Sequence, residues 1–110
     1  MTTILIRMTS DGEYRGFTCM GHAGYAKRNQ PDILCAGISA LVTNTINSLE
    51  ELAGEKMSLV TNEETGFIKC DFESRLQDKS TFLLDSMVFG LKTLSKDYGT
   101  KYLQVKFEEV

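Results

Sequence analysis

Alternating hydrophobic and polar residues mark four short segments of this chain as β-strands, and a fifth segment, Tyr14 to Met20, is predicted to pair with the first strand across a turn. A period of two sends successive side chains to opposite faces, so that one face of each segment is suited to a core. Turn-forming residues at 10–13 and 62–66 separate two pairs of these segments, which predicts two hairpins. The predicted strands are Ile4 to Met8, Tyr14 to Met20, Met57 to Thr61, Ile68 to Phe72 and Tyr102 to Phe107.

Two longer segments carry the three-to-four-residue periodicity of amphipathic helices. The first runs from Ile33 to about Ala53 and the second from about Gln77 to Tyr98, and each is followed by a glycine suited to end a helix. The predicted buried faces are Leu34, Ile38, Leu41, Val42, Ile46, Leu49 and Leu52 in the first helix, and Phe82, Leu83, Met87, Leu91 and Leu94 in the second.

The resulting order of elements is β-β-α-β-β-α-β, which predicts an α+β fold. Two helices on one face of a mostly antiparallel five-stranded sheet, forming a two-layer sandwich, would bury both sets of apolar positions. A chain of 110 residues fits a single domain, residues 1–110, and contains neither an internal repeat nor a linker. The segment from Gly21 to Asp32 lacks periodicity and is predicted to be a loop.

Composition narrows the class of protein. The chain is 42% hydrophobic and 25% charged, with a net charge of −3 and no cluster of lysine or arginine beyond Lys27-Arg28. We therefore expect no direct binding to nucleic acid. No signal peptide or membrane-spanning run is recognisable, so no membrane association is expected. Three cysteines without a secretion signal fit free thiols in a reducing, cytoplasmic environment.

The candidate chemistry centres on one histidine and one cysteine. His22 is the sole histidine and stands in Gly21-His22-Ala23-Gly24, while Cys35 falls at the predicted start of the first helix. With Asp32 as the N-cap, Cys35 occupies position N3, where N–H groups and the helix dipole favour a thiolate. A protonated His22 beside it would complete a nucleophile and base. The N–H groups at and just after Cys35 could then form an oxyanion hole.

Each of these residues also has a plainer interpretation. Cys35 taken alone is better interpreted as a small buried hydrophobe, and His22 alone as an ordinary surface or hydrogen-bonded residue at a strand end. Taken together with the glycine-rich loop, the two residues fit the functional interpretation and the plainer one about equally well. Gly21 and Gly24 favour the functional interpretation, since they allow a peptide to approach closely. Ser39, one helical turn after Cys35, either supports the site or is only a small polar residue. The loop at 24–31 is either a lid or simply a loop.

A zinc site is not expected. Cys19-x-x-His22 with Cys35 offers three ligands, but Cys19 and His22 would face opposite sides of the sheet if the second strand continued to residue 22. Cys70 alternates with Ile68 and Phe72 and is predicted to lie in the core. We therefore expect no metal and no cofactor. Glu63-Glu64 is interpreted as solvated surface.

Two motifs give the chain a family resemblance. Gly21-His22-Ala23-Gly24-Tyr25-Ala26, followed by Asp32-Ile33-Leu34-Cys35-Ala36-Gly37-Ile38-Ser39, resembles the ribosomal-processing cysteine protease family, often called Prp. The resemblance implies a homodimeric cytoplasmic endopeptidase that removes the N-terminal extension of large-subunit ribosomal protein twenty-seven during ribosome assembly. The partner would be that ribosomal protein precursor, whose aromatic residues ahead of the cut imply an apolar pocket beside the cysteine.

The resemblance also implies roles for individual residues. His22 and Cys35 match the family's catalytic dyad, and Asp32 and Ser39 match supporting residues. Tyr25 and Ala26, next to the histidine, are expected to contact substrate. Two other classes stay open from the sequence: a non-catalytic ribosome-associated module that binds protein, and a thiol redox sensor that uses Cys35 without proteolysis.

Overall fold

The elements follow one another in the order β-β-α-β-β-α-β in the computed structural model, which describes residues 1–26 and 32–110. The strands and helices therefore come in the order predicted from the alternation and the helical periodicity. Their bounds are β1 (Thr2–Met8), β2 (Tyr14–Met20), α1 (Ile33–Glu51), β3 (Met57–Asn62), β4 (Phe67–Phe72), α2 (Asp78–Tyr98) and β5 (Leu103–Glu109).

The strands form one sheet in the order β3-β4-β2-β1-β5. All neighbouring pairs are antiparallel except β1 and β5, which run parallel. The sheet is thus mixed but mostly antiparallel, as predicted. Strand β4 lies against β2 with Cys19 opposite Ile68, which brings the turn between β3 and β4 beside the chain leaving β2.

The core lies between one face of the sheet and the two helices. Ile4 and Ile6 of β1 and Phe17 of β2 are at most 1% exposed, and they join a single cluster with the apolar side chains of both helices. On the opposite face, Arg7 forms an ion pair with Asp71 at 2.7 Å and donates a hydrogen bond to Thr18. One apolar and one polar sheet face give the predicted two-layer sandwich.

The buried faces of the helices differ from the prediction at two positions. Leu52 is 76% exposed because α1 ends at Glu51, one residue earlier. Phe82 is 74% exposed because the buried face of α2 includes Leu84 and Val88, and two residues turn a helix by more than half a revolution. Within the described residues, neither helix is both long enough and apolar enough to cross a membrane.

Candidate active site

Asp32 caps α1 and thereby sets the position of Cys35. The backbone of Asp32 is extended, and its Oδ1 accepts a hydrogen bond from the N–H of Cys35 at 3.0 Å. Cys35 is therefore the third residue of the helix, as predicted. Its side chain is half-buried and packs against the edge of the core.

The second carboxylate oxygen of Asp32 holds the loop that follows β2. Oδ2 accepts a hydrogen bond from the N–H of Tyr25 at 2.9 Å. Burial acts to raise the pKa of Asp32, but bonds from backbone N–H groups, led by those of Cys35 and Tyr25, outweigh it and lower that pKa below its ordinary value. An ionised Asp32 thus fastens the loop at residue 25 to the start of the helix.

The oxyanion hole expected at Cys35 and Ala36 is not formed. The N–H of Cys35 already bonds to Asp32 Oδ1, and the N–H of Ala36 donates to the main-chain oxygen of Asp32 at 3.0 Å. The expectation was wrong because the same capping arrangement that positions Cys35 also occupies both donors.

His22 is held from a part of the chain that sequence reasoning missed. Strand β2 ends at Met20, and Gly21, at φ +85°, turns the chain so that His22 is exposed beside the β3–β4 turn. His22 Nε2 lies 3.2 Å from the main-chain oxygen of Glu64. A carbonyl oxygen only accepts, so Nε2 carries the hydrogen and Nδ1 of the neutral ring is the free acceptor.

The β3–β4 turn packs directly on His22. Gly66 has a left-handed backbone at φ +65°, and a Cβ there would lie 2.6 Å from the oxygen of Gly21 and 3.1 Å from Cε1 of His22. The sequence predicted this turn, and it predicted exposed side chains at Glu63 and Glu64. The contact with His22 escaped prediction because it depends on the order of strands in the sheet.

His22 and Cys35 line the same cavity, which has a volume of about 350 Å³. The cavity lies between α1, the end of β2 and the β3–β4 hairpin, and Ile38, Phe67 and Ile68 give it an apolar part. The described residues that line it are Thr2, Cys19, Gly21, His22, Cys35, Ile38, Ser39, Val42, Thr43, Thr61, Asn62, Glu63, Gly66, Phe67 and Ile68. Gly21 and Ser39 of the predicted site are therefore at the cavity wall.

The other residues singled out in the sequence lie apart from this wall. Gly24 has a left-handed backbone at φ +67°, and no atom of the described residues lies within 4 Å of a Cβ built there. Tyr25 packs edge-on against Tyr98 and Tyr102, with ring centroids 5.1 Å from each. Ala26 is half-buried at the end of the first described segment. The predicted lid at 24–31 falls mainly on residues 27–31, which are outside the described residues.

Cys19 shares the cavity with His22 and Cys35 because β2 stops at Met20. The premise that strand geometry would separate Cys19 from His22 therefore does not hold. Across 1–26 and 32–110, however, no three His, Cys, Asp or Glu side chains are grouped closely enough to hold a metal ion. Burial and then the charge of Cys35 raise the pKa of the Cys19 thiol to about 11. All three cysteines are free thiols.

A half-buried thiol at a helix start and an oriented imidazole on one cavity are the equipment of a cysteine hydrolase. Comparison with known proteins supports the same class of enzyme. The family model described as cysteine protease Prp matches residues 1–104, so the chain belongs to this family of cysteine proteases.

Individual relatives extend the comparison. The chain is 31% identical over 102 residues to the ribosomal processing cysteine protease Prp of Bacillus subtilis (strain 168), covering 89% of this chain and 90% of that protein. Two crystal structures of an essential ribosomal processing protease Prp from S. aureus share its fold. The one with a covalently linked product peptide has a TM-score of 0.90 at 22% identity, covering 98% of this chain and 100% of that one. The one with a substrate peptide has a TM-score of 0.86 at 21% identity, with the same coverage.

Proposed function

We propose that this protein is a ribosomal processing endopeptidase that removes the N-terminal extension of large-subunit ribosomal protein twenty-seven during ribosome assembly. His22 and Cys35 are its catalytic dyad. The observation that carries the proposal is that a thiol in the first turn of α1 and an imidazole bonded to a main-chain carbonyl border one cavity. The similarity to ribosomal processing proteases of other bacteria supports the substrate class.

The proposed reaction is acyl transfer through a thioester. His22 takes the proton of the Cys35 thiol, and Sγ attacks the carbonyl carbon of the scissile peptide bond. His22 then passes that proton to the nitrogen of the bond, so that the amine product leaves. The acyl part of the peptide is then joined to Cys35. His22 next takes a proton from water, which attacks the thioester, releases the new carboxylate and restores the thiol. The positive end of the α1 dipole stabilises the anionic sulfur.

The surrounding residues have supporting roles in this proposal. Asp32 fixes the helix start that presents Cys35, and Ser39 borders the cavity one turn further along. Gly21 and Gly24 shape the chain on either side of His22. The apolar wall at Ile38, Val42, Phe67 and Ile68 is suited to an aromatic side chain ahead of the cut.

The peptide outside the cavity has its own proposed contacts. Tyr25, which is 41% exposed, and Ala26 are proposed to meet this part of the substrate. The partner is the ribosomal protein precursor, and we propose that the enzyme acts as a homodimer in the cytoplasm. No metal, cofactor or nucleic acid takes part in the proposed reaction.

The test is incubation with a synthetic peptide that spans the junction between the extension and the mature ribosomal protein, followed by mass spectrometry of the products. We expect the wild type to yield two products cut at that junction. Cys35→Ala should give no cleavage, and His22→Ala should lower the rate by about 10²- to 10⁴-fold, which is the usual contribution of a general acid or base. Both variants should keep the wild-type circular dichroism spectrum.

Cys70→Ala is the matched control, since it removes a thiol that lies in the core away from the cavity. It should retain cleavage. Equal cleavage by wild type and Cys35→Ala would exclude the dyad. A wild type that binds the ribosomal protein without cutting it, with the same affinity in both variants, would favour the binding module. Oxidant-dependent modification of Cys35 without any cleavage would favour the redox sensor.

A further inference from the structure

We infer that the β3–β4 turn is the third component of this site, because the main-chain carbonyl of Glu64 fixes the His22 ring so that Nδ1 is the atom that exchanges protons. Asn62 and Gly66 are the positioning residues that hold this arrangement. The inference deepens the proposed function and rests on it for the part that concerns catalysis. The orientation of the ring itself rests on geometry alone.

The hydrogen bond between His22 and Glu64 selects one tautomer. Free neutral imidazole exchanges its hydrogen between the two nitrogens, and only the form with hydrogen on Nε2 can donate to the Glu64 oxygen 3.2 Å away. When the ring becomes protonated, Nε2 keeps this bond and Nδ1 takes up the new hydrogen. The carbonyl therefore serves both states of the base, and every proton transfer of the reaction passes through Nδ1.

Asn62 holds the turn in the conformation that aims this carbonyl. It is the last residue of β3, and its Oδ1 accepts hydrogen bonds from the N–H groups of Glu64 at 3.1 Å and Thr65 at 3.4 Å. Thr65 Oγ1 in turn donates to the main-chain oxygen of Asn62 at 3.4 Å. This side-chain clasp fixes the peptide planes on both sides of Glu64.

Gly66 sets the distance between the turn and the ring. A Cβ at this position would lie 3.1 Å from Cε1, the ring carbon between the two nitrogens, and 2.6 Å from the main-chain oxygen of Gly21. The second contact is with backbone and cannot be relieved by a change of rotamer. A side chain here would therefore push the turn away from His22 and lengthen the bond to Glu64.

The test uses the fact that His22 is the sole histidine. Protein carrying ¹⁵N-labelled histidine and no polyhistidine tag gives the ¹⁵N NMR spectrum of a single imidazole. At a pH where the ring is neutral, we expect a protonated Nε2 and an unprotonated Nδ1 in the wild type. Asn62→Ala and Gly66→Ala should shift the ring to a mixture of tautomers and lower kcat by about 10- to 100-fold. Asn62→Asp, which keeps an oxygen acceptor, should recover most of both properties.

Two variants control for the substitutions themselves. Asn47→Ala removes an exposed asparagine from α1. Gly12→Ala places alanine at another left-handed glycine, φ +85°, where no atom in the described part of the chain lies within 4 Å of the new Cβ. Both should keep the wild-type tautomer and kcat. Gly12→Ala thus separates backbone strain from contact with His22.

The results divide clearly. A hydrogen on Nδ1 in the wild type, or an even mixture there, overturns the inference without any variant. The inference is also overturned if Asn62→Ala and Gly66→Ala lose kcat while His22 in these variants keeps the tautomer of the wild type. In that case the loss of kcat would be a structural effect that does not act through the ring. A fixed Nε2–H tautomer in a wild type that cuts no junction peptide supports the orientation of the ring and refutes the proposed function instead.

Discussion

The three cysteines occupy three different chemical environments. Cys35 is half-buried at the cavity, Cys19 is buried in the wall of the same cavity, and Cys70 is buried in the core. Burial, together with the charge of Asp71, raises the pKa of the Cys70 thiol to about 12, and the pKa of Cys19 is raised to about 11. A thiolate is the reactive form of cysteine, so neither buried thiol is a competent nucleophile near neutral pH.

Selective alkylation is expected from this difference. Iodoacetamide at neutral pH should add one carbamidomethyl group to the folded protein, at Cys35, while Cys19 and Cys70 react only after denaturation. Peptide mapping by mass spectrometry measures the site and rate. The rate at Cys35 should fall in His22→Ala, where the proposed partner of the thiolate is lost. Equal labelling of all three cysteines in the folded chain would contradict the assignment of Cys35 as the nucleophile.

The sequence allowed the functional side chains to be predicted but not the main-chain atoms that contact them. His22 and Cys35 stand in recognisable motifs, and Asp32 caps the helix as predicted. The Glu64 carbonyl could not be found, because every residue carries the same oxygen. The expected oxyanion hole failed for a related reason, since the carboxylate of Asp32 occupies the N–H of Cys35 and the main-chain oxygen of Asp32 occupies the N–H of Ala36.

At the start of α1, one residue contributes both to the stability of the fold and to the geometry of the site. Asp32 accepts bonds from the first turn of the helix and from the loop at Tyr25, and these bonds favour its ionised form. A carboxyl whose pKa is lower in the folded than in the unfolded chain stabilises the fold above its unfolded pKa. That contribution is lost as the pH falls through the folded pKa.

Asp32→Ala should therefore lower the free energy of unfolding by about 0.5–2 kcal/mol at pH 7, the usual cost of losing an N-cap. The difference in free energy of unfolding between the variant and the wild type should become smaller at pH values below 3.8, the ordinary pKa of an aspartate carboxyl group. Urea unfolding at a series of pH values from 7 to below 3 measures it. Asp78→Ala is the control, since Asp78 lies in the first turn of α2, where no side-chain cap bond forms. A difference that is constant with pH would contradict the role of the ionised carboxylate.

Strand positions were easier to predict than helix faces. The bounds of β2 match the predicted segment, Tyr14 to Met20, residue for residue, although four successive residues of this strand, 16–19, are buried. For α2, Phe82 was assigned to the core, but Ser80, Leu84, Met87, Val88 and Leu91 form its buried face. The apolar residues of α2 itself are distributed over several sides of the helix, so periodicity alone could not determine which side is buried.

Over the whole molecule, the sheet order assembles the site from segments that are distant in the chain. Pairing of β4 with β2 brings the turn at 62–66 to His22, and α1 presents Cys35 to the same cavity. The element order was predictable from local patterns. The order of the strands in the sheet was not predictable, because it depends on contacts between residues that are far apart in the sequence. His22 and Glu64, for example, are separated by 42 positions.

The proposed homodimer would bury part of the exposed apolar surface of the molecule. Several large hydrophobic side chains are exposed, including Phe82 and Phe89, which lie two turns apart on α2. Burying exposed apolar area of this kind favours association. Sedimentation equilibrium should give twice the chain mass of 12.3 kDa. A mass of 12.3 kDa that persists at high micromolar concentration would contradict the homodimer.

Strand β3 lies at one edge of the sheet and is anchored only through β4. A nascent polypeptide that has emerged as far as α1 already contains both His22 and Cys35, yet it lacks the hairpin whose carbonyl aims the imidazole. Such a chain contains the proposed nucleophile and base but lacks the main-chain contact that orients His22. On the proposed mechanism, cleavage would begin only after β3 and β4 have joined the sheet and brought the Glu64 carbonyl to His22.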